Sequence, residues 1–125
     1  MGDLERGRAK YDEVYGEGAA DRLLAALDGW GSDIGRYGVE FNFGEIYSRP
    51  GLDLRQRQIA SIAALVTLGG VEPQLTGHIK AGLNVGLSPT EIVETIIHCV
   101  QYAGFPRTIN AINVAKKVFQ ERGVT

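Results

Sequence analysis

The stretch QLTGHIKAGLN, from Gln74 to Asn84, carries the helical pattern around which the fold is organised. Leu75, His78, Ile79 and Gly82 recur at the spacing i, i+3, i+4, i+7, which places them in one stripe along a helix. This stripe predicts that His78 points inward. The absence of a side chain at Gly82 lets a neighbouring helix, or a ligand, approach the backbone closely.

Helical patterns extend from this stretch toward the N-terminus. Apolar spacing predicts helices over residues 4–15 and 19–27, and a further helical segment capped by Ser32 or Asp33. After Asp53, a suitable N-cap, the sequence becomes apolar nearly all round. A helix without a polar side is predicted to lie in the middle of the fold.

The strongest local signal lies on the C-terminal side. In the tetrapeptide SPTE, Ser88 as N-cap, Pro89 at the first helical position and Glu91 at the third predict a capping box. Pro106 opens a last helix that Gly123 ends. Because no segment shows sustained period-2 alternation, we predict an all-α fold, a compact bundle of six to seven helices.

Length and charge narrow the class of protein. A chain of 125 residues with 44% apolar content predicts one domain, 1–125, with its core over about 30–122 and an N-terminal helical segment over 4–27. Thirteen basic residues are scattered among fifteen acidic ones, which makes nucleic acid an unsuitable partner.

Cysteine content and hydropathy predict the compartment. The single cysteine, Cys99, excludes an intramolecular disulfide and a multi-cysteine zinc site, and it suits a reducing environment. The apolar run 59–68 has about half the length needed to cross a bilayer, and the charged N-terminus does not resemble a secretory signal. We therefore expect a soluble, cytoplasmic protein with no membrane contact.

Two histidines are the candidates for proton chemistry. His78 has a side chain that titrates near neutrality, although a buried histidine can also be structural, with its ring nitrogens satisfied by backbone carbonyls. His98 follows Glu94 by four residues, which is typical of a helical surface pair and also compatible with a subunit contact. Neither histidine lies in a metal-binding motif with Cys99, so we predict no metal site.

Three arginines surround the turn before the apolar helix. Arg49, Arg55 and Arg57 are candidates for binding a substrate carboxylate, and the alternative for each is a solvated surface residue. No glycine loop of the GxxxxGK type is present to bind phosphate.

Two longer segments resemble one known family. IYSRPGLDLRQRQIASIAALVTLGG and LTGHIKAGLNVGLSPTEIVETIIHCVQYAGFP are similar to the carboxymuconolactone decarboxylase family, and the ending IIHCVQYAGFP resembles its true decarboxylase branch. The resemblance covers about residues 36–119 and includes several motifs in the same order.

The resemblance implies an all-α bundle that forms trimers or hexamers and a decarboxylase that needs no cofactor. It implies a catalytic role for His78 and a carboxylated lactone as substrate: decarboxylation of 4-carboxymuconolactone to the β-ketoadipate enol-lactone in aromatic catabolism. Two alternatives are a paralogue that acts on another lactone or β-keto acid and a non-catalytic, oligomeric ligand-binding protein. The candidate substrate-binding residues are Arg49, Arg55, Arg57, Gln58, His98 and Tyr102.

Four positions depart from patterns found in the family. The peroxidase branch has a CxxC motif where this chain has Val71 and Gln74, so peroxidase activity is not expected. That branch also has a glutamate where Gln58 stands. Arg107 follows GFP, where the family usually has a small residue, and is expected to alter the pocket.

Overall fold

The chain folds into helices throughout the part that the structure describes. This structure is a computed structural model that describes residues 2–124, so Met1 and Thr125, the ends of the predicted domain 1–125, lie outside the described residues. Two compact units divide between Leu54 and Arg55. No strand occurs in residues 2–124, which confirms the all-α prediction.

Nine helical segments follow one another along the described chain. The first four are α1 (Asp3–Tyr15), α2 (Ala19–Ala26), α3 (Ser32–Tyr37) and a π-helix (Gly38–Ile46) that continues α3 directly; then follow α4 (Leu54–Leu68), α5 (Glu72–Asn84), α6 (Pro89–His98), α7 (Val100–Ala103) and α8 (Phe105–Arg122). When α3 and the π-helix are counted as one helix, and α6 and α7 as another, residues 2–124 contain seven helices, within the predicted six to seven.

In the first unit, α1 crosses the π-helix with the two backbones in contact. A Cβ atom on Gly7 would collide with the backbone oxygen of Val39, and one on Gly44 would collide with that of Asp3. Both glycines are buried. Glycine is therefore required at both positions, because any side chain would separate the two helices.

In the second unit, four helices share one apolar core. As the α5 stripe predicts, Leu75, Ile79 and Gly82 are buried, whereas His78 is half-buried. A Cβ on Gly82 would lie 3.1 Å from Cδ1 of Leu87 and 3.5 Å from Cδ1 of Ile62, so side chains of the core, and not the backbone of another helix, occupy the space beside this glycine. The core residues are Ile62 and Val66 of α4, Leu75 and Ile79 of α5, Ile92 and Ile96 of α6, Ala111, Ala115 and Val118 of α8, and Leu87 and Cys99 on either side of α6.

The prediction that the apolar helix lies in the middle of the fold is wrong for this chain. Ile62 and Val66 of α4 are buried, but Ala60, Ala64 and Leu68 are exposed. The reason is geometric: only one stripe of α4 packs on the shared core of the second unit. We call Ala60, Ala64 and Leu68 the open face of α4.

The capping box at the start of α6 is confirmed. The Ser88 hydroxyl oxygen accepts a hydrogen bond from the backbone N–H of Glu91 at 3.0 Å, and Oε1 of Glu91 accepts one from the backbone N–H of Ser88 at 2.9 Å. Pro89 is the first residue of the helix, and Gly123 ends α8 with φ +66°.

The predicted cap of α3 is wrong. Ser32 and Asp33 lie inside the helix, with Gly31 at the N-cap position. The Ser32 hydroxyl oxygen instead accepts a hydrogen bond from the backbone N–H of Gly29 at 2.9 Å, so it stabilises the preceding turn. Asp53 immediately precedes α4, as expected of a cap position.

Gly7→Ala should lower the free energy of unfolding by about 1–3 kcal/mol, because the added methyl group forces α1 away from the π-helix. Gly38→Ala is the matched control: its helical backbone has φ −60°, and no atom lies within 4 Å of an added Cβ. The control should leave the protein unchanged or slightly more stable. Thermal unfolding followed by circular dichroism measures both, and equal midpoints for the two variants would contradict the backbone contact.

Candidate functional site

The part of the second unit best suited to proton chemistry is a pair of side chains on α4 and α5. Nδ1 of His78 lies 2.9 Å from Oε1 of Gln58. Gln58 is fully buried and continues the core stripe of Ile62 and Val66 by one turn. His78 lies one turn beyond Leu75 on the inward side of α5 and is half-buried. The core packing of the two helices therefore holds the imidazole ring in place.

The partner of His78 determines which ring nitrogen carries the proton. An amide oxygen only accepts hydrogen bonds, so Nδ1 of His78 donates to Oε1 of Gln58. In the neutral ring, Nε2 then holds the lone pair that can accept a proton. Partial burial lowers the pKa of His78 below its usual 6.5, because a half-buried imidazolium loses hydration. The neutral form consequently predominates at pH 7.

Gln58 was predicted to bind substrate, and the structure shows that it also contacts the catalytic candidate His78. Its amide positions His78, whatever other contacts it makes. The α4 spacing of Gln58, Ile62 and Val66, at i, i+4 and i+8, indicates a buried glutamine on the core stripe, and a buried amide requires hydrogen-bond partners. That spacing was the available signal for the pair.

The three candidate arginines lie in different settings. Nη2 of Arg55 donates to both carboxylate oxygens of Glu91, at 2.8 and 2.6 Å, so this guanidinium links the start of α4 to α6. Arg57, beside Gln58 in sequence, is half-buried. Arg49 is exposed after the π-helix in the first unit, and its backbone N–H donates to the carbonyl oxygen of Ile46.

The salt bridge with Arg55 also affects Glu91. Its pKa is lowered chiefly by the hydrogen bond from the backbone N–H of Ser88, and the Arg55 guanidinium adds to the effect. Since the side chain of Arg55 is engaged with Glu91, binding a substrate carboxylate would require it to exchange one carboxylate for another.

His98 and Tyr102 form a second, separate group on α6 and α7. Their ring centroids lie 6.3 Å apart, and both side chains are exposed. Nε2 of Gln101 donates to the backbone oxygen of His98 at 3.1 Å. The structure therefore joins His78 with Gln58, and His98 with Tyr102, while substrate binding by His98 and Tyr102 stays a prediction.

The positions that correspond to the CxxC motif hold no thiol. Val71 is the N-cap of α5, and Gln74 is exposed in its first turn. Cys99 is buried, and its thiol donates to the backbone oxygens of Thr95 at 3.3 Å and Ala63 at 3.6 Å. Cys99 therefore packs in the core of the second unit.

Within residues 2–124, no group of three or more histidine, cysteine, aspartate or glutamate side chains is arranged to hold a metal ion. None of the helices in this range is both long and apolar enough to span a membrane.

Comparison with known proteins identifies relatives of this chain. The model of the "Carboxymuconolactone decarboxylase family" matches residues 33–117. The chain is 38% identical to a 4-carboxymuconolactone decarboxylase of Acinetobacter baylyi over 99% of its own length and 94% of that protein's. It is 33% identical to a nitrosuccinic acid decarboxylase of Metarhizium robertsii, over 66% of this chain and 57% of that protein. An uncharacterized protein of Paracoccus denitrificans is also 33% identical, over 66% of this chain and 63% of its own length.

Gln58→Glu should raise the pKa of His78 by about 1 to 3, because a carboxylate next to Nδ1 stabilises the imidazolium whereas an amide does not. Titration of the histidine ring protons by NMR measures the change. Gln120→Glu makes the same replacement at an exposed position of α8 and should leave His78 unaffected. An unchanged titration in the Gln58 variant would show that the two side chains do not form the hydrogen bond in solution.

Proposed function

Since the chain belongs to the carboxymuconolactone decarboxylase family, we propose that it decarboxylates 4-carboxymuconolactone to the β-ketoadipate enol-lactone in aromatic catabolism. The observation that carries this proposal is the half-buried His78, held by Gln58, in a chain that matches a decarboxylase over nearly its full length. The enzyme is accordingly a carboxy-lyase, and its substrate is a small lactone that bears carboxylate groups.

The substrate itself can delocalise the electron pair that decarboxylation releases. When the bond between the ring carbon and its carboxylate breaks, carbon dioxide leaves and the electron pair delocalises through the butenolide onto the lactone carbonyl oxygen. A proton added to carbon then completes the enol-lactone. The overall reaction consumes one proton, and the lactone acts as its own electron sink. The protein has to stabilise the dienolate and deliver the proton.

His78 is suited to both tasks through Nε2. Because Nδ1 is engaged by Gln58, we assign the proton transfer to the other ring nitrogen, Nε2. Nε2 must carry a proton either to bind the dienolate oxygen or to protonate carbon. The active form is therefore the imidazolium, and its low pKa makes it a ready proton donor. Solvent restores the proton after each turnover.

A second candidate function is decarboxylation of a different carboxylic acid. The similarity to a nitrosuccinic acid decarboxylase favours it, because that relative acts on a substrate without a lactone ring. An assay with both 4-carboxymuconolactone and nitrosuccinate as substrates distinguishes the two reactions. Ultraviolet absorbance measures how fast 4-carboxymuconolactone is consumed, and the ratio of the two kcat/KM values identifies the preferred substrate.

We also propose that the protein is a homo-oligomer, a trimer or hexamer, that associates through the open face of α4. Leu68 is 63% exposed there, and Tyr102 next to it is 75% exposed. Burial of such apolar side chains against a second copy would remove them from water. The family resemblance of the chain supports the same assembly.

His78→Ala should reduce kcat by about 10²–10⁴-fold, which is the usual contribution of a positioned proton donor. In the wild type, kcat/KM should be highest at low pH and fall about tenfold per pH unit above the pKa of His78, because only the imidazolium form is active. Ultraviolet assays over a pH series measure both effects.

Lys117→Ala is the control for the loss of a polar side chain, since Lys117 is exposed on α8 and is not among the candidate substrate-binding residues. Unchanged circular dichroism would show that each variant is folded. Turnover of His78→Ala at the wild-type rate, or a pH profile that stays level across the titration of His78, would remove this residue from the mechanism.

Leu68→Asp should lower the molar mass in solution, because a charge on the open face of α4 opposes burial against another copy. Light scattering coupled to size-exclusion chromatography measures this mass. Asn113→Asp adds the same charge at an exposed position on α8 and should leave the assembly intact. A wild-type protein that remains monomeric at micromolar concentration would contradict the proposed oligomer.

A further inference from the structure

The second unit contains a cavity that neither His78 nor Gln58 lines. It has a volume of about 400 Å³ and lies where the end of α4, the start of α5 and the first turns of α8 meet. That volume falls within the usual range for sites of small molecules. Leu65 and Leu75 provide apolar wall, and Glu72, Arg107 and Asn110 provide the charged and polar groups.

Gly69 allows the side chain of Arg107 to lie along the wall of this cavity. A Cβ on Gly69 would come within 2.9 Å of Cδ and 3.2 Å of Cγ of Arg107 and would collide with its Nε. Gly69 also has φ +69°, a conformation that glycine adopts without strain. The glycine that ends α4 therefore leaves the space that the arginine fills.

The charge of Arg107 has no partner among residues 2–124. In the part of the chain that the structure describes, its guanidinium forms no ion pair or side-chain hydrogen bond, and it is exposed to solvent. Arg55, by contrast, is engaged with Glu91. A planar guanidinium beside an apolar wall is suited to a forked hydrogen bond with a carboxylate.

We propose that this cavity binds a small organic acid, with the carboxylate on the guanidinium of Arg107. The amide of Asn110 lies one turn along α8 and supplies further hydrogen bonds, and the carbon chain of the ligand lies against Leu65 and Leu75. Glu72 also lines the cavity, so a second negative charge on the ligand is disfavoured there. The site therefore favours one carboxylate at Arg107 with an apolar body beside it and no second charge close to Glu72.

Calorimetric titration with laevulinate, a short keto acid, tests this site directly. Wild-type protein should bind laevulinate and fail to bind its uncharged methyl ester, which keeps the same carbon chain. Arg107→Ala should weaken binding at least about tenfold, and Arg107→Lys should recover part of it, because lysine keeps the charge but loses the fork. Glu72→Gln should strengthen binding roughly two- to threefold.

Lys117→Ala is the matched control, because it removes one exposed positive charge from the same helix without touching the cavity. It should bind laevulinate like the wild type. Equal binding of laevulinate by wild type and Arg107→Ala, or equal binding of laevulinate and its methyl ester by the wild type, would overturn the proposal.

The carboxylate bound at Arg107 can belong to the substrate or to a separate organic acid. Competitive inhibition of decarboxylation by laevulinate, relieved in Arg107→Ala, assigns it to the substrate. Non-competitive inhibition, or binding without inhibition, assigns it to a separate ligand. Because the titration needs no turnover, failure of the proposed decarboxylation would leave the binding result intact.

Discussion

The hydrogen bond between Gln58 and His78 connects the fold of the second unit to the proposed proton donor. Gln58 is fully buried, and a buried amide without partners would cost about 1–3 kcal/mol. The helices α4 and α5 must therefore pack in the register that brings Oε1 within 2.9 Å of Nδ1. The same register places the side chain of Ile62 beside Gly82, 3.5 Å from where a Cβ would lie. The apolar core thus determines the position of the imidazole ring.

Position 58 holds an amide and not a carboxylate, and this difference affects the charge state of His78. A carboxylate would favour the imidazolium and remain charged beside it, whereas the amide of Gln58 orients the ring without adding charge. Partial burial then lowers the pKa of His78. In the proposed reaction, where His78 hands a proton to carbon, a weakly held proton is an advantage as long as solvent replaces it quickly.

Local signals in the sequence predicted local structure well. Ser88, Pro89 and Glu91 predict the start of α6 because all members of a capping box lie within four residues. Ser32 was less informative, since the same hydroxyl can accept a hydrogen bond from a preceding turn, as it does from Gly29. The inward stripe of α5 was also predictable, because it depends only on helical periodicity.

Contacts between distant segments were harder to predict. The exposed side of α4 depends on how many neighbours reach that helix, which its own composition does not contain. The partner of His78 lies twenty residues away on another helix, and the salt bridge of Arg55 spans thirty-six residues. The cavity at Arg107 likewise brings together residues from three helices that no single motif connects.

Glu91 shows how such long-range contacts restrict the evolution of the sequence. One carboxylate both completes the capping box with Ser88 and receives the guanidinium of Arg55. A mutation at this position would release the beginning of α6 and the beginning of α4 together, so its effect could not be the sum of two independent losses. Substitutions at Ser88, Arg55 and Glu91 are therefore expected to be epistatic, and homologues should change them as a set.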